Sequence, residues 1–119
     1  MSLESLPRES VLDVQGALAR FEGDRQLFRD IIEYFLEDSP PLLRALKKAI
    51  ETSDASSVGS AAHSLRGLVA GCGGVRAAQA AERVENAVQA GDVQNLALLV
   101  DALECELEQL RKAACAFRR

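Results

Sequence analysis

Residues 61–73 read Ala61-Ala62-His63-Ser64-Leu65-Arg66-Gly67-Leu68-Val69-Ala70-Gly71-Cys72-Gly73 and contain the single histidine of the chain. On an α-helix each residue advances by about 100°, so this segment and the residues before it separate into two faces. The face opposite His63 is an apolar stripe of the kind that packs into a core: Val58, Ala61, Leu65, Leu68, Val69 and Cys72. The pattern predicts a helix that buries this stripe and leaves His63 accessible to solvent.

The face that carries His63 lacks the long charged side chains of an ordinary solvent face. Apart from Arg66, the residues within 60° of the histidine are small: Ser56, Gly59, Ser60, Gly67 and Ala70. Each of the two glycines costs about 1 kcal/mol of helix propensity relative to alanine. A face cleared in this way indicates close approach by another surface, so we predict that these five small residues bind a partner protein.

The sequence before this helix predicts two others. Residues 1–10 show no clear period, and we expect a flexible lead-in followed by one domain over residues 11–119. Asp13 and Asp24 are candidate N-caps of a short helix that stops at Gly23 and of a longer one. The Ser39-Pro40-Pro41 segment interrupts the longer pattern, although its apolar spacing continues to Ile50. Either a kinked helix continues, or a new helix starts with proline in its first turn.

The sequence after Ile50 adds the turns and helices that complete the fold. Thr52-Ser53-Asp54 reads as a turn and N-cap, and the glycines of residues 71–74 as the end of the histidine helix. Val75–Ala90 predicts a helix ended by Gly91, and Asp92 is expected to cap the last helix. That last helix carries a long apolar seam of Leu96, Leu99, Leu103, Leu107, Leu110, Ala114 and Phe117. Short connections between such helices predict an all-α fold, an antiparallel up-down four-helix bundle with a short extra N-terminal helix.

Composition narrows the classes of partner and compartment. The 119 residues are 48% hydrophobic but 4% aromatic, so the core is expected to be aliphatic. A net charge of −4 argues against a nucleic-acid surface, which needs a basic patch. No apolar run approaches the roughly 20 residues of a membrane span. Three cysteines without paired spacing indicate a reducing compartment. We therefore expect a cytoplasmic monomer that neither binds nucleic acid nor inserts into membranes.

The residues exclude several kinds of chemistry. No nucleophile elbow or oxyanion hole accompanies the histidine, and a lone histidine without paired carboxylates or thiols is a poor metal site. No glycine-rich phosphate loop is present, so we expect no cofactor, no ATP site and no kinase activity. What remains is the imidazole as a nucleophile toward phosphorus, with Arg66 one turn away to neutralise a phosphoryl group. A lone histidine can also be a solvated residue without a role.

The segment His63-Ser64-Leu65-Arg66-Gly67, followed by Cys72-Gly73, resembles the signature of the histidine-containing phosphotransfer (HPt) domain family. The resemblance extends over residues 13–117 and includes the Ser39-Pro40 break and the Gly91-Asp92 junction. It implies a phosphorelay intermediate that accepts a phosphoryl group from a receiver aspartate of a response regulator and passes it to another receiver. The implied partners are such receivers and a hybrid sensor histidine kinase, with Mg²⁺ bound by the receiver.

The resemblance also implies roles for individual residues. His63 is the phospho-accepting residue, reacting through its outer ring nitrogen, and Arg66 stands where the family usually has lysine. Gly67 allows the receiver to approach, and Glu85 falls where some members have a polar residue that holds the other ring nitrogen. By itself, Glu85 can equally be an ordinary exposed carboxylate. Leu68 and Gly71 depart from the small residue and the asparagine that are common at their positions.

Two alternative functions belong to other classes. The domain could be a docking bundle whose histidine face binds a partner without transferring phosphate. It could also be the phosphoacceptor domain of a histidine kinase. That class usually has an acidic residue after the histidine and a Thr-Pro pair soon afterwards, where this chain has Ser64 and Gly67-Leu68. We therefore consider the kinase phosphoacceptor domain less well supported by the sequence than the relay domain.

Overall fold

Residues 11–118, the part of the chain that the computed structural model describes, form five α-helices. They are α1 (Val14–Arg20), α2 (Arg25–Glu51), α3 (Ala55–Gly71), α4 (Val75–Ala90) and α5 (Leu96–Arg118). No strand occurs within these residues, so the prediction of an all-α fold is confirmed for them. The lead-in expected at residues 1–10 lies outside the described residues.

The first three helices begin at the aspartates that the sequence indicated. Oδ1 of Asp13 accepts a hydrogen bond from the backbone N of Gly16 at 2.9 Å, and Oδ1 of Asp24 accepts one from Leu27 at 3.0 Å. At the start of α3, Oδ1 of Asp54 accepts from the N of Ser57 at 3.2 Å. Each carboxylate satisfies one of the backbone donors that a helix N-terminus leaves unpaired.

Helix α2 continues through Pro40 and Pro41, which settles the alternative that the sequence left open. Each proline removes one backbone donor from the helix interior. Both proline side chains are exposed, whereas Phe35 before them and Leu46 after them are fully buried in the same core. Burial on both sides of the prolines therefore keeps the helix continuous despite the missing hydrogen bonds.

The expectation that Asp92 caps the last helix is wrong. Helix α5 begins at Leu96, and the N of Leu99 donates to the carbonyl oxygen of Asn95 at 3.0 Å. The Asp92 carboxylate instead accepts a hydrogen bond from Nδ2 of Asn95 at 2.9 Å. Because Gly91 ends α4 in the left-handed conformation at φ 70°, the chain needs several more residues before it turns into α5.

The helices pack around one core. Helix α2 contacts α3 and α5, α4 contacts the same two helices, and the short α1 lies against α2. The largest fully buried side chains are Phe28, Ile32, Phe35, Leu46, Leu65, Leu103 and Leu110. The apolar stripe predicted for α3 is buried, except that Leu68 is half-buried, and Ala62 joins it. This packing leaves the opposite face of α3 toward solvent.

The turn between α3 and α4 depends on two glycines. Gly73 adopts φ +86°, and a Cβ there would lie 2.8 Å from the carbonyl oxygen of Asp13. A Cβ on Gly74 would lie 2.5 Å from Cδ2 of Leu110. The backbone N of Asp13 donates to the carbonyl oxygen of Gly73 at 2.8 Å. The missing side chains thus let α1 and α5 close against the end of the histidine helix.

Packing predicts unequal effects for two leucines of α5. Leu103 is fully buried, whereas Leu98 is 68% exposed. We expect Leu103→Ala to lower the free energy of unfolding by about 2–5 kcal/mol, because it leaves a cavity. The same change at Leu98 is expected to stay within about 0.5 kcal/mol. Urea denaturation followed by circular dichroism measures both, and equal losses at the two positions would contradict the packing described here.

Candidate functional site

His63 lies in the middle of α3, on the face opposite the buried stripe. Its side chain is 69% exposed, as the sequence predicted, while its neighbours Ala62 and Leu65 are fully buried. The helix therefore fixes the backbone of His63 through the core and presents the imidazole to solvent. A ring in this position is accessible to a second macromolecule.

One edge of the imidazole is held by Glu85 of α4. Nδ1 of His63 lies 3.0 Å from Oε2 of Glu85, whose side chain is 16% exposed. An ionised carboxylate can only accept hydrogen bonds, so this contact assigns the proton of the neutral ring to Nδ1. Nε2, on the far edge of the ring, then carries a lone pair. This geometry allows Glu85 to orient the ring and favours the tautomer whose lone pair is on Nε2.

Arg66 completes the cluster from the same helix as His63. Its Nε donates to Oε1 of Glu85, and its Nη2 lies 3.5 Å from Oε2. Nη2 is also 3.2 Å from Nδ1 of His63, but a protonated Nδ1 cannot accept its hydrogen. The guanidinium thus binds the carboxylate and stays on the Nδ1 side of the ring. The structure brings His63, Arg66 and Glu85 together, with Arg66 beside Glu85 rather than beside Nε2.

The electrostatics of the cluster keep Glu85 charged. Desolvation raises the pKa of Glu85, but hydrogen bonds and charge from Arg66 and His63 outweigh it, so the pKa lies below its ordinary value. The hydrogen bond and the charge of Glu85 in turn raise the pKa of Arg66. The carboxylate therefore remains ionised, and able to accept the Nδ1 proton, throughout the neutral pH range.

The small residues predicted to bind a partner divide into two groups. Ser56, Ser60, Gly67 and Ala70 are exposed, and nothing lies within 4 Å of a Cβ built on Gly67. A Cβ on Gly59 would lie 3.3 Å from Cγ1 of Val88 in α4. Gly59 therefore permits close packing of α4 on α3.

Sequence reasoning missed one charged neighbour of this face. Nη2 of Arg20, the last residue of α1, donates to the carbonyl oxygen of Ala70 at 3.0 Å. Helix α3 has no basic residue of its own in its last turn, where free carbonyls attract a cation. The lack of a basic residue in the last turn of α3 is visible in the sequence and indicates that another residue supplies the cation. Only the packing of α1 shows that this residue is Arg20.

Other reactive groups do not form a second site. Burial raises the pKa of the Cys72 thiol to about 11, so this cysteine is an unreactive core residue. Between residues 11 and 118, no group of three His, Cys, Asp or Glu side chains is placed to hold a metal ion. The helices of this same part of the chain are all too short or too polar to cross a membrane.

Comparisons with known proteins agree with this geometry. The sequence model of the Hpt domain matches residues 30–113, a segment that includes His63, Arg66 and Glu85. The crystal structure of histidine-containing phosphotransfer protein B from Pseudomonas aeruginosa PAO1 is similar to the chain, with a TM-score of 0.83 and 25% sequence identity. The match covers 91% of this chain and 94% of that one. No curated protein sequence matches significantly.

The contact with Glu85 predicts which ring nitrogen is protonated. In the wild-type protein, two-bond ¹H–¹⁵N spectra should show neutral His63 mainly as the Nδ1–H tautomer, because the carboxylate accepts that proton. Glu85→Ala should shift the population toward Nε2–H. Glu82→Ala, an exposed position three residues earlier on α4, is the matched control and should leave the tautomer unchanged. An unchanged tautomer in Glu85→Ala would show that the carboxylate does not select it.

Proposed function

The chain belongs to the Hpt domain family, whose members carry phosphoryl groups on histidine in two-component phosphorelays, and we propose that His63 is its phospho-accepting residue. The observation that carries this proposal is the combination of an exposed imidazole and an Nδ1 atom bound to Glu85. That combination directs the reactive lone pair of Nε2 toward solvent, where a receiver can meet it. His63 is also the single histidine of the chain, so no other imidazole competes for the role.

The proposed step transfers a phosphoryl group between two side chains. The Nε2 lone pair attacks the phosphorus of an aspartyl phosphate on the receiver, and the N–P bond forms as the P–O bond to the aspartate breaks. The electron pair of that bond leaves with the aspartate carboxylate. The proton on Nδ1 stays on the ring, and Glu85 stabilises the positive charge that develops there. Transfer to a second receiver reverses these changes.

Arg66 contributes through charge in this proposal. Its bond to Glu85 holds the carboxylate in position, and its guanidinium remains within 3.2 Å of the near edge of the ring. A phosphoryl group on Nε2 would lie one ring width further away, close enough to be stabilised by the same positive charge. Arg66 therefore supports the reaction without supplying the nucleophile.

The partner surface is proposed to be the exposed small-residue face of α3: Ser56, Ser60, Gly67 and Ala70. Receivers of response regulators are the proposed partners, including the receiver of a hybrid sensor histidine kinase as a source of the phosphoryl group. Mg²⁺ is expected on the receiver, and we propose that this domain binds no cofactor or ATP and has no kinase activity. It acts as a cytoplasmic monomer that binds no nucleic acid and does not insert into membranes.

We further propose that α2 to α5 form an antiparallel up-down four-helix bundle, with α1 as the extra helix. Turns of three residues separate α2 from α3 and α3 from α4, and five residues separate α4 from α5. Each of these consecutive pairs is in contact, and α2 also contacts α5. Short connections between packed neighbours support alternating helix directions.

Replacing the nucleophile tests the proposed function directly. Wild-type protein incubated with a ³²P-labelled phospho-receiver should gain label that is acid-labile and base-stable, as a phosphoramidate is, and should gain none from ATP alone. His63→Gln should gain none, although it should remain folded because the side chain is exposed. Arg66→Gln should retain transfer at a rate lower by about tenfold to a hundredfold, the effect of one charge-assisted interaction. Acid-labile label on His63→Gln would disprove the assignment.

The open surface at Gly67 predicts an effect on docking that opposes the effect on stability. Gly67→Gln should raise the free energy of unfolding by up to about 1 kcal/mol, because glycine is a poor helix former. The added side chain should nevertheless raise the KM for the phospho-receiver by filling the space above α3. Ala102→Gln provides a control at an exposed position of α5, which packs on α2 and α4. A KM unaffected by Gly67→Gln would mean that the receiver does not approach this face.

A further inference from the structure

Helix α1 places a second cation at the end of the face that carries His63. Arg20 is exposed, and its Nη2 donates to the carbonyl oxygen of Ala70 at 3.0 Å. Ala70 follows His63 by two helical turns, about 10 Å along the axis, and lies on the same face of α3. Any protein that covers His63 and extends toward the C-terminus of α3 will therefore meet Arg20.

The position of Arg20 changes the electrostatics of this helix end. The C-terminus of a helix carries partial negative charge on its unpaired carbonyls, and that charge repels an acidic partner. Helix α3 has no basic residue in its last turn. Arg20 supplies the missing cation from another helix and so offsets the partial negative charge at this end of the face.

A groove connects Arg20 to the histidine site. It has a volume of about 280 Å³ and is lined by both Arg20 and Arg66, together with Asp13, Gln79 and Glu82. Arg66 is engaged with Glu85, and the Asp13 carboxylate caps α1. Within residues 11–118, the Arg20 guanidinium makes one hydrogen bond and keeps its other donors for a ligand.

Arg20 also precedes the residues that match the sequence model of the family. The Hpt match begins at residue 30, whereas α1 ends at Arg20. The histidine, Arg66 and Glu85 belong to the matched segment, and the cation at the end of the face does not.

We propose that Arg20 is a docking residue that binds a carboxylate on the incoming receiver and so helps to select which receiver exchanges a phosphoryl group with His63. The proposal rests on the function proposed above. A carboxylate that a docked receiver presents to this end of α3 would meet the free donors of Arg20. A guanidinium is well matched to a carboxylate and remains charged at all physiological pH values.

Steady-state transfer from a phospho-receiver tests this role. Arg20→Gln should raise the KM for the receiver by about 3- to 10-fold and leave kcat within about twofold, because a charge at the rim of an interface acts mainly on association. The rise in KM of the wild type between about 50 and about 300 mM NaCl should become shallower in the variant. Lys112→Gln, which makes the same charge change on α5, should behave as wild type.

A second variant separates docking from a purely structural role of α1. Asp13→Asn removes a negative charge from the groove but keeps the N-cap of α1, because asparagine caps a helix as well as aspartate does. If Arg20 matters because its charge attracts the receiver, Asp13→Asn should lower KM. If Arg20 matters because it fastens α1, Asp13→Asn should leave KM unchanged.

These experiments distinguish a failure of the Arg20 proposal from a failure of the proposed relay function. A wild-type KM and salt dependence in Arg20→Gln, or a KM that Asp13→Asn does not lower, would overturn the role of Arg20. In either case the loss of label in His63→Gln would still support the relay function. A wild-type protein that accepts no label from any receiver would overturn both.

Discussion

The hydrogen bond between His63 on α3 and the carboxylate of Glu85 forms only because α4 places that carboxylate beside the ring. The carboxylate accepts hydrogen bonds from Nδ1 of His63 and from Arg66, and both bonds require α4 to lie at a fixed distance from α3. Apolar packing sets that distance, because the absent side chain of Gly59 lets Val88 approach. Since a carboxylate can only accept hydrogen bonds, its placement also fixes the proton on Nδ1 and frees Nε2. Helix packing thus determines which atom of the histidine can react.

Helix α3 meets different requirements on its two sides, and its glycines show this most clearly. Gly59 and Gly67 have the same helix propensity and lie at equal angles from His63 in the sequence pattern, on opposite sides of it. In the folded protein Gly59 lies beneath Val88, whereas Gly67 borders open solvent. The first glycine serves packing within the chain, and the second leaves space for another molecule. Residues fully buried on the opposite side, such as Leu65, supply the apolar contact that offsets the low helix propensity of both.

Features that depend on neighbours along the chain were predictable from the sequence. The caps at Asp13, Asp24 and Asp54 join residues three positions apart, so the local pattern identified them. The burial of one stripe of α3 and the exposure of His63 follow from helical periodicity alone. The contact between His63 and Glu85 spans 22 residues, and only the resemblance to the HPt family implied it. The accessible imidazole was therefore predictable from residue type and spacing, whereas its contact with Glu85 required knowledge of a family.

The remaining features were decided by tertiary structure, because they depend on which helices become neighbours. Local rules allowed α2 either to break or to continue at Pro40 and Pro41, and burial on both sides selected continuity. Arg66 turns toward Glu85 because α4 brings a carboxylate to it across 19 residues of sequence. Arg20 reaches the end of α3 across 50 residues, because the glycine turn at residues 73–74 draws α1 close. The sequence alone determined the all-helical class, the buried stripe of α3 and the exposed imidazole. The distances between helices exist only in the folded chain, and they decided how the imidazole is held and which charges surround it.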